Sequence, residues 1–153
     1  MIIIIEGPDG SGKTSLANTL SKQLGYPILH RTRPETEEEK REMLEEYVRI
    51  IRGNKNMILD RCWYSEIVYG SIMRDSSYIS FYDMYDLEKL VAKHGGILIY
   101  ATGPSSALWN RCQRRGEDYI TSRDTFNAIH TSYTKLMSMP HYIPVLKYEY
   151  KDV

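Results

Sequence analysis

A short apolar run that turns directly into a glycine-rich loop constrains this chain more than any other feature. Ile2, Ile3, Ile4 and Ile5 lead into Glu6-Gly-Pro-Asp-Gly-Ser-Gly-Lys-Thr14, which keeps the spacing Gly-x-x-x-x-Gly-Lys-Thr. The β-branched run reads as a strand buried on both faces. Gly7, Gly10 and Gly12 allow a tight turn that points successive N–H groups at an anion. Lys13 supplies a point charge for the β- and γ-phosphates, and the Thr14 hydroxyl suits a Mg²⁺ ligand. A helix from Ser15 to Leu24 comes next, with Leu16, Leu20 and Leu24 on one face, and its N-terminus also faces the phosphates. Strand, loop and helix together predict binding of a nucleoside triphosphate.

At 153 residues the chain is expected to form one domain over 1–153. Twenty Lys and Arg balance twenty Asp and Glu, so no global field draws it to nucleic acid or anionic lipid. Cys62 and Cys112 lie far apart without metal-ligand spacing and read as small core or site residues of a reduced, cytoplasmic protein. No apolar run approaches the roughly 20 residues of a membrane span. The first strand starts at the second residue, leaving no room for a targeting segment.

Strand-like runs alternate with helical patterns along the rest of the chain. A short strand ends at His30, and Thr36 caps a helix to about Arg52 with Met43, Leu44, Tyr47, Val48 and Ile51 as its buried stripe. Glu37, Glu38 and Glu39 read as the solvated start of that helix rather than a metal site. A strand from Asn56 to Leu59 delivers Asp60-Arg61, and helices run from Trp63 to about Met73 and from Tyr82 to His94. Ile97 to Ala101 is the fourth strand, Ser105 to Arg115 and Ser122 to Met137 are helices, and Pro144 to Tyr150 is an edge strand. The alternation predicts a three-layer α/β/α fold with a five-stranded parallel sheet and ligands at the strands' carboxyl ends.

The residues just past the third strand narrow the phosphate chemistry. Arg61 stands where a hydrolytic ATPase wants a water-positioning carboxylate, and Asn54-Lys55-Asn56-Met57 lacks the Asp of a guanine-reading motif. Transfer to an acceptor that is itself anionic explains the cations better, because two phosphates in contact need fixed positive charge. Arg31 and Arg33 come after the second strand, Arg61 after the third, and Arg111, Arg114 and Arg115 after the loop beyond the fourth. None of the four His residues lies in an evident catalytic setting, and all read as structural or surface.

Several segments resemble the thymidylate kinase family. Glu6-Gly-Pro-Asp-Gly-Ser-Gly-Lys-Thr14 resembles its phosphate loop, and Asp60-Arg61-x-x-x-Ser65-x-x-x-Tyr69 its Asp-Arg-Tyr-x-x-Ser-x-x-Ala-Tyr signature, with Cys62 in place of the aromatic. Arg31-Thr-Arg33-Pro34 is similar to its Thr-Arg-Glu-Pro loop. Arg111-x-x-Arg114-Arg115 is similar to its arginine-rich lid, here about 111–121, and to the lid of deoxynucleoside kinases. Small members of this type are similar to those of bacteriophages. The resemblance implies a Mg²⁺- and ATP-dependent kinase of a dTMP-like deoxynucleoside monophosphate, and a homodimer through helices beside the sheet.

It also implies roles residue by residue. Gly7, Asp9, Gly10, Ser11, Gly12, Lys13, Thr14, Ser15 and Arg111 would hold ATP, with Thr14 and Asp60 at Mg²⁺. Asp9, Arg33, Arg61, Ser65, Glu66, Tyr69, Arg115 and Tyr119 would hold the acceptor: Asp9 at the 3′-hydroxyl, Arg61 at the 5′-phosphate, and Tyr69 against C2′. Lys13, Arg61, Arg111 and Arg115 would be the catalytic cations, since the loop itself carries no Arg between Gly7 and Gly12.

The chain departs from that family where the base should be read. One helix fills the stretch that normally carries an aromatic for thymine and an Arg for its O4; Lys40, Arg41 or Tyr47 are the substitutes on offer. Glu66 accepts hydrogen bonds and suits a base presenting N–H groups rather than a bare carbonyl, so the base stays open. Trp63 reads equally as pocket lining or structural wedge. Tyr78, Phe81, Tyr82 and Tyr85 read as the face of a helix packing on the sheet or on a partner subunit rather than a platform for single strands. The rival readings are a deoxynucleoside kinase, a kinase of a hydroxymethylated base or DNA end, and a non-catalytic protein whose assembly ATP switches.

Overall fold

Four consecutive isoleucines make the centre of the sheet. They belong to β1 (Ile2–Glu6), all of whose residues are buried, and each side chain removed from water stabilises the fold by about 2 kcal/mol. The structure, a computed structural model, describes residues 1–30, 34–116 and 119–149. β2 (Ile28–His30), β3 (Met57–Asp60), β4 (Gly96–Thr102) and β5 (Val145–Glu149) complete a sheet of order β2-β3-β1-β4-β5. Every pairing is parallel, with Ile5 beside Asp60 and Glu6 beside Tyr100. From β1 the chain crosses to the edge at β2, returns to β3 beside β1, and then leaves on the other side of β1 to β4 and β5. The carboxyl ends of β1 and β3 therefore open the crevice where such sheets bind ligands.

Strand alternation divides the core in two. Ile3 and Ile5 pack with Ala17 of α1 (Lys13–Leu24) on one face. Ile2 and Ile4 face the larger core, built with α2 (Glu37–Arg52), α3 (Trp63–Met73), α4 (Phe81–His94), α5 (Ser105–Arg114) and α6 (Arg123–Ser138). This is the expected three-layer α/β arrangement with its five-stranded parallel sheet. Among the described residues no helix is long and apolar enough to cross a membrane.

Several element boundaries and faces differ from the sequence expectation for local reasons. α1 starts at Lys13 rather than Ser15, because Gly12 takes the left-handed conformation (φ 83°) and acts as its N-cap. Ala17 is its buried apolar position, and Leu24 is 47% exposed. α2 begins where Thr36 accepts the Glu39 N–H at 3.1 Å, but the Glu39 carboxylate reaches back to the Glu35 N–H instead of Thr36. α4 starts from a reciprocal capping box between Ser80 and Asp83. That start fixes the helix phase, so Met84, Leu87 and Val91 are buried while Tyr82 is 85% exposed and Phe81 half exposed. Phe81 and Tyr82 therefore do not pack on the sheet. Trp63 is a wedge: it is fully buried and meets the Tyr47 ring edge-on at 5.3 Å.

A buried ionic knot joins α4 to the chain after α6. Glu88 accepts from the Tyr64 hydroxyl (2.6 Å), His141 Nδ1 (2.7 Å) and the Tyr142 N–H (2.9 Å). His141 Nε2 lies 2.9 Å from the Leu136 carbonyl. A carboxylate and a carbonyl only accept, so both ring nitrogens donate and His141 is an imidazolium. Burial alone lowers its pKa, but the hydrogen bond and charge of Glu88 outweigh burial and raise it above the ordinary 6.5. A raised folded pKa gives stability that is complete below the unfolded value and lost as pH rises through the folded one. His141→Gln should therefore destabilise the fold by about 2 kcal/mol near pH 6, with a gap that narrows toward pH 9. Urea titrations of both proteins across that range check this; a constant gap would contradict the imidazolium.

Candidate functional site

Glu6 ends an otherwise apolar strand, and its carboxylate organises the start of the next helix. It is fully buried. Its Oε1 accepts the N–H groups of Cys62 (2.8 Å) and Ser65 (3.0 Å), and its Oε2 accepts the Ser65 (2.7 Å) and Tyr133 (3.2 Å) hydroxyls. The N-cap residue Cys62 makes no side-chain cap of its own. Glu6 supplies one from the neighbouring strand, placing negative charge at the positive end of α3.

Arg61 occupies the bend between β3 and α3 with φ 69°, a left-handed conformation that disfavours a side chain by about 1 kcal/mol or more. Its N–H donates to the Ile5 carbonyl at 3.0 Å, which fixes the bend against β1. Its guanidinium then turns back over the loop. It donates to the Gly7 carbonyl (3.3 Å), Ser65 Oγ (3.0 Å), Tyr133 OH (3.3 Å) and Asp9 Oδ1 (2.5 Å), and lies 5.4 Å from the Tyr69 ring centre. The Tyr69 hydroxyl donates to the other Asp9 oxygen at 3.1 Å. Tyr119 extends the aromatic wall, 6.2 Å from Tyr69 between ring centres.

The loop itself is held from behind by α5. A Cβ on Gly10 would stand 2.6 Å from the Leu108 carbonyl and 3.0 Å from Cys112 Sγ, so only glycine permits that approach. Arg111 is buried and donates to the Gly10 carbonyl. The structure therefore puts Arg111 behind the loop, supporting its backbone, while Arg115 at the end of α5 is exposed and reaches the rim.

Lys13 Nζ donates to the Pro8 carbonyl (2.8 Å) and to Ser11 Oγ (3.3 Å) and is almost fully buried. Burial first, and the nearby Arg61 charge second, lower its pKa from 10.5 to about 7. Thr14 Oγ1 donates to Asp60 Oδ2 at 3.1 Å, and His30 Nδ1 lies 3.0 Å from the same oxygen.

Two cavities open onto these residues. The smaller, about 240 Å³, is walled by Gly10, Gly12, Lys13, Thr14, Asp60 and Arg115. The larger, about 960 Å³, runs along one face of α3, where Ser65, Glu66, Tyr69, Gly70 and Met73 recur at helical spacing. Asp9 and Arg61 line both. Burial first, then the Glu6 charge, push the Cys62 thiol well above its ordinary range, so it lines the larger cavity as a neutral group.

Most residues expected at the site thus converge. Asp9, Gly10, Gly12, Lys13, Thr14, Asp60 and Arg115 stand around the small cavity, and Ser65, Glu66, Tyr69 and Tyr119 on the large one. Gly7 and Ser11 support the loop, and Ser15 is exposed on α1. Arg31, Arg33 and the Glu117-Asp118 part of the lid lie outside the described residues. Of the substitutes for base reading, Lys40 and Tyr47 line the large cavity. Glu6, His30, Arg74 and Tyr133 were not singled out from sequence. Only Glu6, a carboxylate closing an apolar strand, carried a local signal.

The parallel sheet with this loop after its first strand, and Asp60-Arg61 ending the next strand over, defines a P-loop protein of the nucleoside and nucleotide kinase-like fold. The chain belongs to the YorR family. It is 33% identical over 138 residues to the SPbeta prophage-derived protein YorR of Bacillus subtilis (strain 168), covering 90% of this chain and 82% of YorR. The crystal structure of Bacillus subtilis YorR in complex with phosphorylated GDP superposes with a TM-score of 0.78 at 26% identity, over 99% of this chain and 85% of that one. Deoxyadenosine kinase from M. mycoides with bound dATP shares the fold, with a TM-score of 0.64 at 18% identity over 97% of this chain and 91% of that one. No protein-family model matches the chain.

The depressed Lys13 pKa gives the cradle a proton signature. A polyphosphate beside Nζ favours the charged amine and returns its pKa toward 10.5. Binding of a nucleoside triphosphate near pH 8 should then take up close to one proton, an uptake that fades by about pH 6. Calorimetric titrations in buffers of different ionisation enthalpy measure it. No uptake at the higher pH would contradict the assignment.

Proposed function

We propose that this chain is a single-domain, ATP-dependent kinase that transfers the γ-phosphoryl group to the 5′-phosphate of a deoxynucleoside monophosphate, giving the diphosphate and ADP in the cytoplasm. One observation carries the reading: the phosphate cradle and the larger cavity share Asp9 and Arg61 on their walls. Reactants seated in the two cavities would meet beside a fixed guanidinium.

The residues divide the work by charge. Lys13 and Arg115 face the triphosphate side, and Arg61 serves the acceptor phosphate, so repulsion between the two anions is quenched by groups already in place. Arg115, on the rim, is the lid cation for the transferring group; Arg111 acts through the Gly10 backbone. Tyr69, fixed through Asp9, walls the sugar where a 2′-hydroxyl would crowd it, and Tyr119 extends that wall. The donor set fits Mg²⁺: Thr14 and Asp60 offer oxygen only, and such an ion draws its remaining ligands from phosphates and water. Among the described residues no three His, Cys, Asp or Glu gather to hold a metal ion by themselves. Bound Mg²⁺ would supply charge stabilisation to the phosphates. Binding of phosphorylated GDP by YorR supports a nucleotide ligand for this family.

A nucleoside acceptor is the second reading, favoured by the Glu35 carboxylate on the wall of the larger cavity, which suits a base for a 5′-hydroxyl. ADP formation measured with deoxynucleosides and with their monophosphates separates the two. Turnover confined to nucleosides would overturn the monophosphate assignment, and no turnover with any acceptor would favour an ATP-switched binding protein. Arg61→Ala should raise the acceptor KM by about 30-fold while the ATP KM moves by less than about threefold. Equal effects on both would remove Arg61 from the acceptor phosphate.

A further inference from the structure

The larger cavity is also lined by an ion pair that phosphate transfer does not use. Glu66 is 8% exposed and lines the cavity one helical position beyond Ser65. Its Oε1 accepts from Arg74 Nη2 and from the Tyr78 N–H at 3.0 Å. Oε2 has no protein partner among the described residues and is not sealed from solvent, so it is open to a donor from a ligand in the cavity. Arg74 is fixed in turn: its guanidinium lies 4.9 Å from the Tyr78 ring centre, and its N–H donates to the Gly70 carbonyl at 3.0 Å.

The helix is shaped to admit that arginine. A Cβ on Gly70 would stand 2.7 Å from Arg74 Nη2 and 2.8 Å from the Ser76 carbonyl, so an alanine there would push the ion pair apart. Glycine inside a helix costs about 1 kcal/mol against alanine, a cost that positioning Arg74 over the cavity accounts for. The walls of the same cavity include Met43, Tyr47, Tyr69, Met73 and Phe126, apolar surfaces suited to the faces of a flat ring.

Resting on the reading that the larger cavity holds the acceptor, we propose that Glu66 and Arg74 select its base, taking one with an exocyclic amino group beside a ring acceptor (guanine, adenine or cytosine) over thymine or uracil. The amino group donates to Glu66 Oε2, and the neighbouring ring nitrogen or carbonyl accepts from Arg74. Thymine and uracil have a single edge N–H flanked on both sides by carbonyls. Presenting it to Oε2 brings a second oxygen against the carboxylate, with no donor between them. The thymine implied by family resemblance is therefore the wrong base for this pocket.

The test is a panel of the deoxynucleoside monophosphates of guanine, adenine, cytosine, thymine and uracil, measured for binding by calorimetry and for ATP-dependent turnover. At least one amino-bearing member should bind about 30-fold more tightly than both thymine and uracil nucleotides. Glu66→Gln, which keeps the shape but offers an amide donor, should shrink that ratio by about tenfold or more, with the ATP KM unchanged. Thymine or uracil nucleotides binding as well as every amino-bearing one would overturn the proposal, as would a Glu66→Gln protein with the ratio intact. So would failure of the whole panel to bind. Binding with the expected preference but no turnover would instead sink the kinase reading and leave the base selection standing.

Discussion

A single buried carboxylate sets the geometry on which the rest depends. Glu6 is part of the central strand, yet all its partners belong to α3 and α6 or to the N-cap of α3. Removing such an acceptor leaves two helix N–H groups and two hydroxyls to find other partners in a dry site, where each orphan costs roughly 1–3 kcal/mol. The phosphate loop begins at the next residue, so the pin that orients α3 also fixes the loop relative to it. Arg61 is caught between, its strained backbone held by Ile5 and its side chain by Asp9, Ser65 and Tyr133. The strain sits at the position where a cation must stand between two strand ends.

Charge explains why the arrangement is dense with ionisable groups. Lys13, Arg61, Asp9, Asp60 and Glu6 crowd one end of the sheet, shielded from water to different degrees. Buried this way, like charges weaken one another, as Arg61 does Lys13, and acids hold the balance. Polyphosphate entering such a site meets fixed donors with little solvent to reorganise, which makes each contact stronger than it would be in water. The same logic holds at the Glu66–Arg74 pair lining the larger cavity, whose carboxylate keeps one oxygen without a protein partner among the described residues.

How much of this was legible depended on whether the signal was contiguous. The loop was readable because its residues are adjacent and each has a separate physical reason. Asp60, Arg61, Ser65 and Tyr69 were readable too, because a strand end and a helix face give fixed spacing. The alternation of strands and helices was enough for the sheet. That Arg111 backs the loop while Arg115 reaches the rim was not legible, because the spacing of arginines along one helix does not say which guanidinium meets the Gly10 carbonyl. Tyr133 and Arg74 left no trace, as their partners lie 127 and 8 residues away and pairing them needs the packed fold. Phe81 and Tyr82 of α4 face away from the sheet for a plainer reason: a capping box between Ser80 and Asp83 set the helix phase, outweighing the apparent aromatic stripe.

The proposed kinase needs its two cavities to be one reaction space, joined at Asp9 and Arg61. A deoxynucleoside joined to adenosine through a pentaphosphate bridge probes it directly, because such a molecule must occupy both cavities and cross the junction. It should compete with ATP and with the monophosphate alike, and bind at least about tenfold more tightly than either. Competition with ATP alone, at an affinity no better than that of ATP, would show that the larger cavity is not where the acceptor sits.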